Sequence, residues 1–388
     1  MGFIDKPQQL WWRKAIFQVH LWVGVVLCLY LAVIALTGSL LVFREQIERT
    51  LSHHLRIASE PAGARTVPLD RMVDTVAKTY PTRIVSTAYL PRHPDENALV
   101  ITSSKGEQGA QYVYVSPASG RIMGEVNTGH HWFFTLAQLH YFLLLGRPGL
   151  IVNGVGASFL LLLTLSGLVL WWPGIRNWKR GLGVKLNASW KRINYDLHSA
   201  IGFWTLLIVS IWSISSINFA WPQQVEKLVN RVSSVASLQP PAVSVSPPSK
   251  GQMPLPLGHL ISLGYSASPN AAFYGVFLPR SPRTPLTVLM ARGEPGNFYK
   301  MDYVLVDPYR GKTLAVWRRG INPTLGSKFL AMLGPLHFGT QWGIAVKIIW
   351  FLLGISLAVL SITGPIMYWN RILAKKWKLL CQMASTAK

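Results

Sequence analysis

The chain has 388 residues, half of them hydrophobic, with a formal net charge of +23 and two cysteines. Cys28 and Cys381 can build no disulfide framework, no iron–sulfur cluster and no Cys-x-x-Cys-His attachment for a covalent haem. The positive charge gathers beside apolar segments, where membrane topology accounts for it, so no nucleic acid is expected as a partner. Residues 1–15 read as a cytoplasmic N-terminus carrying Lys6, Arg13 and Lys14. Residues 16–43 form a first apolar run, too long for a removable leader and expected to stay as an anchor. Residues 44–129 follow as an outer domain, with helical spacing from Pro68 to Tyr80 and strands at Ile84–Leu90 and Ala98–Thr102. Its last hairpin turns at Pro117–Gly120. Residues 130–149 read as a short interfacial helix, and 150–172 as a second span.

A basic loop at 173–196 carries Arg176, Lys179, Arg180, Lys185, Lys191 and Arg192. A third span at 197–220 leads to a second outer domain at 221–332, which opens with a Ser/Pro/Val-rich linker, Val232–Pro256. Leu257–Leu263 is its helix, Phe273–Leu278 and Thr284–Met290 are strands, and a hairpin turns at Pro308–Gly311. This domain has a basic excess, read as a solvated face sooner than as a site for an acidic ligand. Residues 333–342 hold a second histidine segment, 343–369 a fourth span and 370–388 a tail with Arg371, Lys375, Lys376 and Lys378. The basic flanks put both termini and the 173–196 loop in the cytoplasm and the two long segments outside. Trp11, Trp12, Trp22, Trp171, Trp172 and Trp369 mark an interfacial belt.

The two halves repeat. Leu136-Ala137-Gln138-Leu139-His140 precedes an apolar run ending Ser166-Gly167, and Leu333-Gly334-Pro335-Leu336-His337 precedes one ending Thr363-Gly364 at the same offset. His20 with Gly24 matches His198 with Gly202. Tyr112–Arg121 matches Tyr303–Lys312. The fold class expected is therefore membrane α-helical plus α+β: a four-helix transmembrane bundle from a tandem duplication, with two outer α+β domains.

Ionisable groups at membrane depth point to function. Four histidines in duplicated contexts fit axial ligation of two non-covalent b-type haems, with His20 facing His198 and His140 facing His337. Gly24 and Gly202 would leave room for a flat macrocycle, and Arg13, Lys14 and Arg192 would meet its carboxylates. A proton relay lacks buried carboxylates, and a zinc site lacks further ligands. His53, His54, His93 and His259 have no repeated partner and read as surface residues. His130 and His131 beside Trp132 read as helix anchors.

These blocks together resemble the PepSY-associated transmembrane helix proteins, known as iron-regulated membrane proteins. The Leu-x-x-Leu-His blocks at His140 and His337, the His-x-x-x-Gly starts at His20 and His198 and the two hairpins carry the likeness. Within that family the chain is most similar to reductases of ferrioxamine-type siderophores. The resemblance implies PepSY-like outer domains in the periplasm, a place in the bacterial inner membrane, and one-electron reduction of a ferric siderophore that frees its iron. Its partners would be the ferric siderophore and a cytoplasmic or quinol electron donor. No dinucleotide Gly-rich fingerprint is present, so direct NADH oxidation is not expected. Ser215-Ser216 departs from the Thr37-Gly38 of the first half. The alternatives are a non-redox anchored binding or regulatory protein and a siderophore permease.

Overall fold

A computed structural model describes residues 7, 10–51, 53–56, 66–104, 109–129, 132–235, 240–293, 300–321, 324–339, 342–374, 377 and 382. Lys6, His130, His131, Thr340, Gln341, Lys375, Lys376, Lys378 and Cys381 lie outside the described residues. The chain divides into two compact units. One comprises Met1–Arg44, Leu136–Leu228 and Met332–Lys388; the other comprises Glu45–Thr135 and Val229–Ala331.

In chain order the elements are α1 (Trp11–Leu41), α2 (Arg44–Leu51), α3 (His53–Arg56), α4 (Leu69–Thr79), β1 (Arg83–Tyr89), β2 (Ala98–Ser104), β3 (Gln111–Val115) and β4 (Ile122–Asn127). Then follow α5 (Trp132–Phe142), α6 (Arg147–Trp171), α7 (Trp190–Ala220), α8 (Pro222–Asn230) and α9 (Leu257–Ala267). The chain continues with β5 (Ala272–Phe277), β6 (Leu286–Ala291), β7 (Met301–Asp307), β8 (Lys312–Arg318), α10 (Leu325–Phe338) and α11 (Gly343–Tyr368).

Among the described residues four helices are long and apolar enough to cross a membrane: α1, α6, α7 and α11, the last prolonged to Leu373. The protein is a multi-pass membrane protein. α1 lies along α11 and α6 along α7, while α7–α11 and α1–α6 contacts close the ring. The composition of its surfaces reverses that of a water-soluble bundle. Val26, Leu29 and Leu207 point outward, whereas the residues buried between helices include Thr37, Ser39, Gly154, Ala157, Ser166, Ala200, Ser213, Ser215, Gly354 and Ser361. Lipid tails accept large apolar side chains, and close helix approach needs small ones. Buried hydroxyls are satisfied locally: Ser39 donates to the Ala35 carbonyl and Ser213 to that of Val209.

The second unit is built on one eight-stranded antiparallel sheet, ordered β4-β3-β2-β1-β5-β6-β7-β8. Strand alternation sends Ala98, Val100, Val113, Val115, Val288, Met290, Val304 and Val306 to one face, all fully buried. α4 and α9 cover that face with Leu69, Met72, Val76 and Leu260. Tyr274, Leu289, Met301, Tyr303 and Leu305 pack on the other face with Tyr89 and Trp317.

The two outer segments, expected as two α+β domains, contribute their strands to one sheet. Their strands join through β1 and β5, where Thr87, Ala88 and Tyr89 pair with Phe277, Val276 and Gly275. A side chain at residue 275 would run into the Ala88 carbonyl, which explains the glycine. Both outer hairpins turn on a glycine of positive φ, Gly120 and Gly311. In each, the turn proline's carbonyl, Pro117 or Pro308, accepts from Val67 or Leu255 just ahead of the covering helix. The segment read as a linker is partly tied down: Val245 is buried and its N–H reaches the Arg283 carbonyl. The second histidine segment also begins earlier than expected, since α10 starts at Leu325 and runs through Pro335.

Candidate functional site

The first unit brings the four repeated histidines together in two pairs. His20 on α1 faces His198 on α7, with ring centroids 6.5 Å apart and planes at 88°. His140 on α5 faces His337 on α10, again with centroids 6.5 Å apart and planes at 54°. Along α1, the residues that serve the two pairs, His20 and Thr37, are 17 positions apart. That is roughly 25 Å of helix at about 1.5 Å per residue, most of a hydrocarbon core.

The sequence folds each histidine into place from within its own half. His20 Nδ1 meets Ser166 Oγ on α6 at 2.9 Å, and His140 Nδ1 meets Thr37 Oγ1 on α1 at 3.0 Å. His198 Nδ1 meets Thr363 Oγ1 on α11 at 2.8 Å, and His337 Nδ1 meets Ser215 Oγ on α7 at 2.7 Å. Glycines following three of these hydroxyl residues seat the rings. An ideal Cβ at Gly38 would stand 2.7 Å from His140 Cε1, at Gly167 3.3 Å from His20 Cε1, and at Gly364 3.5 Å from His198 Cε1.

Beyond α5 the chain turns through Leu143 and Leu144, both at positive φ, a strained path for branched side chains. Asn153 on α6 holds that turn by donating to the His140 and Tyr141 carbonyls. Trp350 on α11 does the equivalent for α10, donating to the Leu336 carbonyl. Asn153 and Trp350 each lie 13 residues after their histidine.

The surroundings of the two pairs differ. A cavity of about 990 Å³ surrounds His20 and His198, lined by Gly24, Leu160, Gly202 and, at its charged edge, Lys14, Lys191 and Arg371. The Arg371 guanidinium sits over the Phe17 ring at 4.7 Å. Around His140 and His337 the cavity is about 130 Å³, crowded by Ser39, Trp212, Trp350 and Gly354.

The donor set narrows the chemistry. Among the described residues no group of three or more His, Cys, Asp or Glu could hold a bare metal ion. Two imidazoles alone make a poor zinc site, which takes four ligands. They suffice for an iron whose other four ligands come from a macrocycle. A metal between two imidazoles, with bonds of roughly 2 Å each, puts the ring centres about 6 Å apart. Both pairs meet that spacing. Cofactor-sized ligands occupy pockets of roughly 300–1,000 Å³, so the room fits haem at His20/His198 and does not fit it at His140/His337 in this packing.

Several expectations change. Arg13 donates to the Leu170 and Trp172 carbonyls at the end of α6, and Arg192 pairs with Asp196 at 2.8 Å. Arg13 still lines the cavity, where Lys14, Lys191 and Arg371 stand beside it, whereas Arg192 does not line it. Gly24 and Gly202 are roomier than the ring-seating glycines, since a Cβ at either would make only ordinary contact with Leu163 or Leu360. His53, His54, His93 and His259 are exposed, as expected. The four hydroxyl partners were missed as functional residues. Their signal was present in constant offsets: Ser166 and Thr363 lie 26 residues after His140 and His337, Thr37 and Ser215 17 after His20 and His198.

The profile described as "PepSY-associated TM region" matches residues 17–371. The chain is 25% identical over 263 residues to "Uncharacterized protein PA4219" of Pseudomonas aeruginosa, an alignment covering 61% of this chain and 63% of that protein.

Proposed function

We propose that this chain, which belongs to the PepSY-associated TM region family, is a di-haem b ferric-siderophore reductase of the FoxB type. The carrying observation is the equal 6.5 Å spacing of the two histidine pairs, each pair joining one histidine from each half of the chain. The family points to an iron-regulated membrane protein; the redox activity is our reading of the histidines.

In this reading His20 and His198 would hold one haem b iron, and Lys14, Lys191 and Arg371 would meet its carboxylates. His140 and His337, at the same spacing, are the proposed holders of the second, in a space of about 130 Å³ that is too small for haem in this packing. Haem supplies reversible one-electron exchange, with a potential the protein tunes. Haem held by two imidazoles would pass electrons to a ferric chelate without binding it as a ligand. Reduction frees the cargo because hydroxamate oxygens are hard ligands that suit Fe(III) better than Fe(II). The electron donor is cytoplasmic or a quinol.

The bacterial inner membrane is the expected site. Arg13 and Lys14, the basic 173–196 loop and Arg371 support cytoplasmic termini by the positive-inside rule. β1 and β5 share a sheet, which supports placing the two outer segments together in the periplasm. The matched hairpins, histidines and hydroxyl offsets support a tandem duplication with PepSY-like outer parts.

The test is a reduced-minus-oxidised optical spectrum of protein purified in detergent from haem-replete cells, with haem extracted and counted. Two b-type haems per chain, reoxidised by ferrioxamine, are expected. A colourless protein overturns the reading in favour of a non-redox anchored binding role. Unchanged ferric-siderophore reduction after joint replacement of His140 and His337 by alanine overturns the outer part of it.

A further inference from the structure

We infer that Ser166, Thr37, Thr363 and Ser215 are positioning residues that fix all four histidines in one tautomer, proton on Nδ1 and lone pair on Nε2. The inference rests on the proposed role of the histidines as iron ligands and adds the groups that prepare them.

Hydrogen-bond arithmetic carries it. A hydroxyl has one hydrogen to give and can also accept. Each of the four lies within reach of a helix carbonyl as well as of a ring nitrogen. Ser166 donates to Leu162 O at 2.7 Å, Thr37 to Val33 O at 2.7 Å, Thr363 to Val359 O at 2.9 Å and Ser215 to Trp212 O at 2.9 Å. With the hydrogen on the carbonyl, the oxygen accepts from Nδ1–H and both contacts are made. With the proton on Nε2, the single hydroxyl hydrogen would have to serve two acceptors. One contact would be lost, and an Nε2–H would be left at a nitrogen that meets no protein partner among the described residues. Among buried groups an unmet donor costs about 1–3 kcal/mol. Each ring is thus poised to bind through Nε2, the nitrogen left free.

The arrangement also divides labour. Each hydroxyl belongs to the same half as the histidine it fixes, whereas each facing pair joins the two halves. Ligand histidines elsewhere are commonly oriented by a carboxylate or carbonyl on the second ring nitrogen, and losing that partner costs about 10–100-fold in metal affinity.

The experiment has two arms. In protein prepared without haem, nitrogen-15 NMR of the labelled histidine rings reads the tautomer directly. Signals for Nδ1–H at rings lost in His20→Ala, His140→Ala, His198→Ala and His337→Ala are expected. Nε2–H at those rings overturns the inference. In haem-loaded protein, Ser166→Ala and Thr363→Val should each lower haem retention at the His20/His198 pair about tenfold or more. Ser166→Thr and Thr363→Ser should restore it, because they keep the hydroxyl. Equal retention in all four variants overturns the inference even if the haems are present. A protein that takes no haem but shows Nδ1–H rings defeats the reductase reading and leaves the tautomer assignment standing.

Discussion

The two histidine pairs are alike in the distance between their rings and in the hydroxyl each ring meets, and unlike in the room around them. Ring spacing and hydroxyl partners match. The space around them does not: about 990 Å³ against about 130 Å³. Leu163 and Leu360 are the nearest contacts at Gly24 and Gly202. At the other depth Ser39 packs onto Gly354, and the indoles of Trp212 and Trp350 fill the gap. Ligand direction is a local property of helix pairs, while room for a macrocycle is a property of how large side chains meet across the bundle.

The largest effect should come from removing ligands of one pair. Joint replacement of His20 and His198 by alanine is expected to abolish one of two haems and leave the spectrum of the other, read by extraction and low-temperature optical bands. Loss of both would show that the pairs are not independent. Haem titration into unloaded protein should next show two phases, the first filling the roomier His20/His198 pair and the second at least tenfold weaker. A single uniform phase would erase the contrast drawn from the cavities.

Graded steric probes sharpen it further. Gly38→Ala places a Cβ 2.7 Å from His140 Cε1 and should displace the ring at a cost of about 1–3 kcal/mol, weakening only the second haem. Gly167→Ala, at 3.3 Å, should act more weakly on the first haem, and Gly364→Ala, at 3.5 Å, should be near silent. The reverse order in haem retention would mean the rings are not seated on these glycines. The smallest spectral effect should follow Met72→Ala in the sheet core. It should lose about 2–5 kcal/mol of that unit's stability, measured by thermal unfolding, with haem content unchanged.

Much of this was legible in the sequence, for identifiable reasons. Spans declare themselves by length and apolarity, so all four were readable. The helix at Leu69–Thr79 and the hairpins at Pro117 and Pro308 follow from periodicity and turn residues. The histidines stood out because their contexts recur. What failed was information about partners. Arg13 and Arg192 carry charge that names no recipient, and the structure gives them the end of α6 and Asp196. The sequence marks β1 and β5 as strands without naming them as neighbours, because pairing across some 180 intervening residues leaves no local pattern. Ser166 and Thr363 kept a constant offset from His140 and His337, yet they serve His20 and His198, and an offset says nothing of which ring a hydroxyl reaches.

The short seam between β1 and β5 bears on how such a chain is made. Strands β1–β4 are synthesised before α6 and α7, and β5–β8 only after them. The sheet can close only when both of those helices have crossed and delivered the second set of strands to the compartment where the first set waits. A chain in which one helix failed to insert would strand its two half-sheets on opposite sides of the bilayer, each with an open edge. Open edges of that kind are templates for pairing with other chains, so the three residue pairs at Thr87–Tyr89 tie closure of the sheet to insertion of both helices.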